Sequence, residues 1–322
     1  MIVTDNFKDI KQNNIIATVG TFDGLHLGHK KILNILKSRA VKTNGKSTVL
    51  TFWPHPRFVL GKINGLELLN TIDEKIKLFT ENNIDILINY KFTKEFASLS
   101  SYEFVSKILV NKLKIKGLIL GYDHHFGKNR EGRFEKLKEC ADKFGFFIEQ
   151  VDALSLNGEN ISSTKIRNYI KTGNIEKANI FLGYNYFLQG KTIKGNKLGR
   201  KLGFPTANIS VPDYKLLPEA GVYAVNVDVF GKTFQGITNI GFRPTVSDKK
   251  IKTIETHIFN FDKDIYNKTI KIEFIKKIRD EKKFDNISDL KEQIKSDVDF
   301  VKSNIFIKNR SLNSFGFHNL SQ

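Results

Sequence analysis

From residue 15 to residue 182 the chain alternates two hydrophobic periods. Apolar runs of strand length lie at 15–19, 47–52, 84–90, 116–120 and 146–151, and amphipathic stretches at 27–40, 73–82, 102–113 and 134–144 separate them. Strands alternating with helices predict an α/β fold: a parallel sheet joined by right-handed crossovers and covered on both faces. Two further helices are expected at 164–171 and 175–182. From Gly183 the pattern changes. Turn residues become frequent (Gly190, Gly195, Gly199, Gly203, Pro205, Pro212, Pro218, Gly221, Gly231, Gly236, Gly241), with alternating stretches at 222–230, 254–259 and 269–275 between them. That spacing predicts a small antiparallel β-barrel. A last helix is expected at 287–304, where Leu290, Ile294 and Val298 recur every four residues. The expected domains are 1–182 and 183–306, followed by a polar tail at 307–322 that should fray.

Composition changes this picture little. The 322 residues, 40% hydrophobic and 27% charged, fit two ordinary globular domains and exclude a disordered or collagen-like chain. Cys140 is the sole cysteine, which rules out an internal disulfide and a cysteine cage for zinc. The first fourteen residues hold no apolar signal core, and no stretch approaches the roughly 18 apolar residues of a membrane span. A soluble, cytoplasmic protein with no membrane partner is therefore expected.

Charge needs closer reading. Lys+Arg 52 against Asp+Glu 34 gives +18, and a pI near 9.7 invites a nucleic-acid reading. The lysines, however, are scattered singles and pairs such as Lys30-Lys31 and Lys276-Lys277, without interleaved aromatics. A diffusely basic surface follows, with nucleotides rather than nucleic acid as the expected partners. Nothing in the sequence indicates an oligomer.

The first candidate site is Gly20-Thr-Phe-Asp-Gly-Leu-His-Leu-Gly-His29. It follows a strand and opens a helix, at the sheet edge where α/β proteins bind ligands. His26 and His29, three apart, can share a face, and Gly28 between them leaves room for a phosphate. The helix N-terminus adds partial positive charge and free N–H groups. Two imidazoles there can stabilise charge on a phosphoryl group in transfer, without a covalent step. Ile161-Ser-Ser-Thr-Lys-Ile-Arg167 reads either as a plain helix start capped by Ser162, Ser163 or Thr164, or as a second phosphate cradle with Arg167 one turn in. Thr51-Phe-Trp-Pro-His-Pro56 and Leu120-Gly-Tyr-Asp-His-His-Phe-Gly127 end strands on the same edge. Phe52, Trp53 and Phe58 fit either a flat aromatic pocket or the core, and Asp123 can accept from a ring N–H or a ribose.

The second candidate site starts at Gly195-Asn-Lys-Leu-Gly-Arg-Lys-Leu-Gly-Phe-Pro-Thr-Ala-Asn208. Gly190 and Gly195 have P-loop spacing, but Asn196 and Lys197 stand where lysine and a hydroxyl are required, so a P-loop is rejected. Gly195 and Gly203 suit tight turns over a nucleotide. Thr206 and Asn208 share a strand face and offer two hard oxygen ligands, which suits Mg²⁺ beside substrate phosphates. Glu255 shares a strand face with His257. It either pairs with a neighbouring lysine or accepts the proton of a hydroxyl attacking a γ-phosphate.

The series GTFDGLHLGH, TFWPHP, LGYDHHFG and ISSTKIR closely resembles the FMN adenylyltransferase module of bacterial bifunctional riboflavin kinase/FAD synthetases, a family of HxGH nucleotidyltransferases. The resemblance implies a Rossmann-like parallel-sheet domain whose nucleotide site includes Gly20, Phe22, Asp23, Gly28 and Asp123. In it His26 and His29 would bind and activate ATP, while Ser162, Ser163, Thr164 and Arg167 hold its phosphates. FMN would then attack the α-phosphorus, giving FAD and pyrophosphate. His124 departs from the family pattern, which usually has Phe there. GRKLGFPTANI, NIGFRPT, ETHIF and KIRDEKKF are similar, in order, to the riboflavin kinase module. That likeness implies a β-barrel kinase domain with a C-terminal helix, in which Thr206 and Asn208 hold Mg–ATP, Glu255 is the base and Arg279 lies near the flavin. Riboflavin, FMN, FAD and ATP are the implied partners. Two rivals are another acceptor on the same nucleotidyltransferase, such as pantetheine or glycerol phosphate, and an RNA-binding protein on a degenerate version of the fold.

Overall fold

The computed structural model describes residues 1–61, 65–122, 134–195, 198–243 and 251–306. They pack as two compact units, Met1–Lys165 and Ile166–Gln322. In the first, the apolar runs become strands: β1 (Ile2–Thr4), β2 (Ile15–Val19), β3 (Lys46–Trp53), β4 (Ile86–Lys91), β5 (Ile115–Gly121) and β6 (Phe147–Val151). They form one sheet in the order β1-β4-β3-β2-β5-β6, and each neighbouring pair is parallel. Every residue of β2 is buried, as expected where helices cover both faces. The edge strand β1, too short to register as an apolar run, was not anticipated.

The interleaved helices are α1 (Leu27–Lys42), α2 (Pro56–Val59), α3 (Ile72–Glu81), α4 (Lys94–Ala97), α5 (Ser101–Glu103) and α6 (Phe134–Phe144). One sheet face contributes Ile15, Ala17, Val19, Leu50, Phe52, Ile86 and Ile88 to a core with Phe104, Val105, Ile108 and Leu137, while α1 packs against β2, β3 and β5. The helix expected at 102–113 forms instead as α5 running into wider π-helical turns over Phe104–Val110. A small hairpin of β7 (Ser155–Leu156) and β8 (Glu159–Asn160) precedes α7 (Ser163–Lys171).

Strand order carries the functional message. From β2 the chain adds β3 and β4 on one side, then returns to add β5 and β6 on the other. The carboxyl ends of β2 and β5 therefore flank the point where order reverses, and this is where open α/β sheets bind ligands.

The second unit holds α8 (Ile175–Leu182), the barrel strands β9 (Phe187–Ile193), β10 (Thr206–Ser210), β11 (Gly221–Val229), β12 (Lys232–Arg243), β13 (Ile251–Ile258) and β14 (Thr269–Asp280), and the helices α9 (Leu198–Leu202) and α10 (Ile287–Val301). The barrel closes in the order β10-β13-β12-β11-β14-β9. Side chains alternate in and out along each strand. Val222, Ala224 and Ile237 pack with Val298 and Val301 of α10, while Tyr223 turns its ring edge onto Phe274 at 5.3 Å. Short cap bonds start the helices: Asn174 accepts from the Lys177 N–H and Asn286 from the Asp289 N–H.

Asn179 on α8 links that helix to the barrel strands. Its amide donates to the Phe274 carbonyl at 2.9 Å and accepts from the Tyr186 N–H at 2.7 Å. Asn179→Ala should cost about 1–3 kcal/mol, because two part-buried backbone groups lose their partner. Urea unfolding followed by intrinsic fluorescence checks this, and an unchanged midpoint would show that water replaces the amide freely.

Candidate active sites

The chain leaving β2 reaches α1 within seven residues, and the turn is tight. The Gly20 N–H still pairs with the Leu50 carbonyl at 3.0 Å, as if the strand continued. Phe22, Gly24 and Leu25 then take positive φ values of 46°, 88° and 31°, which is costly for the two residues that carry a Cβ. His26 closes the turn as the N-cap of α1, and its Nδ1 accepts from the His29 N–H at 3.3 Å. A ring that accepts at Nδ1 carries its neutral-state proton on Nε2. The two imidazoles stack, with centroids 3.7 Å apart and planes 15° from parallel, and the Phe22 ring meets His29 edge-on at 5.2 Å. A Cβ on Gly28 would lie 3.2 Å from the His26 ring, so the room left at Gly28 accommodates that imidazole.

The other motifs of this unit distribute between site and scaffold. Ser163 donates from Oγ to the Asp23 carbonyl at 2.7 Å, joining the ISSTKIR segment to the histidine loop. Ser162 caps the Lys165 N–H, Thr164 is exposed and Arg167 is half-buried one turn along. Asp23 is only 2% exposed, and its carboxylate accepts from the Leu69 and Asn70 N–H groups. Phe52 belongs to the core and meets Phe92 and Phe96 at 5.5 Å. His55 is buried and caps α2 through the Arg57 N–H. Asp123 and His124 lie outside the described residues.

In the second unit, register builds the site. Asn208 on β10 stands opposite Glu255 on β13, and Glu255 stands opposite Asn239 on β12. Thr206, two residues from Asn208, stands opposite His257. Cross-strand partners share a face, so Thr206, Asn208, Glu255 and Asn239 form one polar patch. On the opposite, buried face of these strands, Thr238 and Thr256 bond hydroxyl to hydroxyl at 2.8 Å. A Cβ on Gly195 would overlap the Asn208 amide, so Gly195 lies directly over this patch. His257 donates from Nδ1 to the Pro205 carbonyl at 2.9 Å and meets the Phe204 ring edge-on at 5.5 Å, which holds the entry to β10 in place.

Comparison with known proteins gives these two constellations a context. Residues 8–165 match the family model described as FAD synthetase, and residues 182–305 match the one described as riboflavin kinase. A bifunctional riboflavin kinase/FMN adenylyltransferase from Buchnera aphidicola is 41% identical over 301 residues, covering 92% of this chain and 96% of that one. The protein of the same description from Bacillus subtilis is 36% identical, covering 89% and 91%. The chain belongs to the bifunctional riboflavin kinase/FMN adenylyltransferase family. A solved Streptococcus pneumoniae structure described as a macrolide-efflux protein also superposes on this family member, with TM-score 0.85 at 29% identity over 94% of this chain and 98% of that one. Among the described residues, no helix of this chain is long and apolar enough to cross a membrane.

Packing and register add to the sequence reading at two positions of the second unit. Arg279 is engaged by α10: its Nε and Nη2 donate to the Asp297 carboxylate at 2.9–3.1 Å, and Gln293 donates to the same group. Asp297 is 4% exposed, so the pair is a bidentate anchor for the helix, and any flavin contact must use the guanidinium from this fixed position. Asn239 was overlooked, although it lies within the quoted NIGFRPT segment. Only cross-strand register reveals it, so no spacing along the chain could have shown it.

Burial pushes His257 below its ordinary value near 6.5, the Pro205 carbonyl opposes this and Lys302 adds to it. The folded state thus prefers neutral imidazole, and the unfolded chain takes up the proton first as pH falls. Stability of the barrel should be level above pH 6.5 and fall below it. Urea midpoints compared at pH 7.5 and pH 5.5, with His257→Gln as control, check the sign; equal pH slopes in both proteins would remove His257 as the cause.

Proposed function

We infer that the His26–His29 loop of the first unit joins FMN to the adenylyl group of ATP, and that the Thr206–Asn208–Glu255 patch of the second phosphorylates riboflavin. The protein is a bifunctional enzyme of FAD synthesis, acting on riboflavin, FMN and ATP. The observation that carries the residue assignment is the stacked imidazole pair at the N-terminus of α1, at the point where strand order reverses. We assign residues 1–182 to the adenylyltransferase, 183–306 to the kinase and 307–322 to a tail. Dependence of both reactions on ATP supports a cytoplasmic location.

In adenylyl transfer, a phosphate oxygen of FMN forms a bond to the α-phosphorus of ATP while the bond to the β-bridging oxygen breaks. Pyrophosphate leaves with the electron pair. Negative charge grows on that leaving group, and His26, His29 and the α1 N-terminus supply donors and partial positive charge to meet it. Gly20, Phe22, Asp23 and Gly28 shape the loop. Ser162, Ser163, Thr164 and Arg167, with Asp123 beyond the described residues, complete the proposed nucleotide site. Ser163 and Asp23 serve it through their mutual bond rather than as free ligands.

In phosphoryl transfer, a ribityl hydroxyl of riboflavin attacks the γ-phosphorus, its proton passes to Glu255 and ADP departs. The oxygens of Thr206 and Asn208 fit Mg²⁺ by hardness and by small ligand number, and Gly195 leaves the Asn208 amide its space. Bound there, Mg²⁺ would neutralise phosphate charge. Gly203, at φ 87°, turns the chain toward Thr206, and Arg279 lies on the strand that leads to α10.

Chromatographic separation of flavins after incubation with riboflavin, ATP and Mg²⁺ tests both assignments. His29→Ala should lower FAD formation by about 10²–10⁴-fold and leave FMN formation near wild type; loss of both products together would contradict independent sites. Glu255→Gln should lower FMN formation by a similar factor of about 10²–10⁴, with FAD still made from supplied FMN. An unchanged kinase rate would reject Glu255 as the base.

A further inference from the structure

Below the histidine loop lies a charge that the proposed chemistry does not use. Lys75, on the first turns of α3, is 3% exposed. Its Nζ donates to the Thr21 carbonyl at 2.7 Å, an oxygen that the Thr51 hydroxyl also approaches at 3.4 Å. Burial pushes the ammonium down to about 8, against the opposing pull of Asp23. A hydrocarbon side chain would fill this position without the cost of desolvating a cation. The same segment contains a second uneconomical group: Asn70 is 1% exposed, its Oδ1 accepts from the Gly24 N–H at 2.9 Å, and its Nδ2 has no hydrogen-bond partner among the described residues.

These contacts have one thing in common. Three links run from the start of α3 to consecutive parts of the turn that follows β2. Lys75 holds Thr21, the N–H groups of Leu69 and Asn70 hold the Asp23 carboxylate at 3.1 and 3.2 Å, and Asn70 holds Gly24. The turn so held is the one with positive φ at Phe22, Gly24 and Leu25, and it ends at His26. Left to itself, such a turn would relax. Groups that are poor choices for stability, concentrated on a strained segment beside reacting residues, act to fix geometry.

We propose that Lys75 is a positioning residue for adenylyl transfer: through the Thr21 carbonyl, and with Asn70 and Asp23, it fixes the turn that seats His26 and His29. It touches no substrate. The idea rests on the His26–His29 assignment, and its effect should appear in the transition state, where placement of the imidazoles matters, more than in ground-state binding.

The test compares Lys75→Met, which keeps the stem and removes the donor, with Asn70→Leu, which removes the link to Gly24. Steady-state rates of FAD formation from FMN and ATP are measured for both, together with kinase rates and thermal melting of the full chain. The expected result is a kcat for FAD formation lowered between roughly tenfold and a hundredfold, with KM for ATP and FMN nearly unchanged. Kinase rates and cooperative melting should persist. A wild-type kcat in Lys75→Met would overturn the proposal, and so would a raised KM with kcat intact, which would make Lys75 a binding element. Should Lys75→Met lose its melting transition, Asn70→Leu decides by the same split. His29→Ala separates the two levels: if it leaves FAD formation intact, the site assignment itself fails, whereas an inactive His29→Ala beside a fully active Lys75→Met removes only the positioning role.

Discussion

A buried parallel strand with neighbours on both sides can release its chain only at its ends, and at β2 that constraint determines the rest of the first unit. Every residue of β2 is buried, β3 and β5 flank it, and the next element, α1, must pack back onto the same strands. The chain therefore reverses within a few residues at the carboxyl edge. A reversal that tight requires positive φ, and it delivers a helix N-terminus to the crevice. The tight turn, the free N–H groups and the helix dipole follow from the position of β2 in the sheet, and the sequence sets two imidazoles upon them. The placement of the proposed first site is thus a consequence of sheet order before it is a matter of particular side chains.

The barrel reaches a comparable end by other means. Its polar patch is a register effect, in which antiparallel pairing brings Asn208, Glu255 and Asn239 side by side from three strands. Closure removes free strand edges, so the register cannot slip without breaking the whole barrel. His257 fixes the entry to β10 through the Pro205 carbonyl, and Arg279 ties β14 to α10 through Asp297. Geometry in this unit is held by ion pairs and cross-strand contacts, whereas in the first it is held by side-chain tethers on a strained turn.

What could be read from the sequence follows this distinction. The strand–GTFDGLHLGH–helix unit was legible because all its parts are adjacent in the chain, and period 2 announced the barrel. Lys75 was not legible: within 73–82 it reads as one polar position of an amphipathic helix, and only the Thr21 carbonyl, fifty-four residues earlier, gives it meaning. Asn239 was hidden for the same reason, since its neighbours lie on other strands. Phe52, which fitted pocket or core equally, is decided for the core by Phe92 and Phe96. Chemistry carried by neighbours in sequence is visible early, and chemistry carried by neighbours in space is not.

The two proposed residue sets also differ in a way that their nucleophiles explain. FMN brings a phosphate, which is already an anion near neutral pH and needs no base. The proposed first site accordingly centres on donors, two imidazoles and a helix N-terminus, and among the described residues of the loop the Asp23 carboxylate is turned to backbone N–H groups. Riboflavin brings a neutral hydroxyl, whose proton must leave as the oxygen attacks. A general base is then called for, and the proposed one, Glu255, stands in the same row as Asn208. The proposed residue sets thus match the protonation state of the oxygen each would activate, which gives a physical reason for one chain to carry two separate sites for two successive reactions of the same molecule.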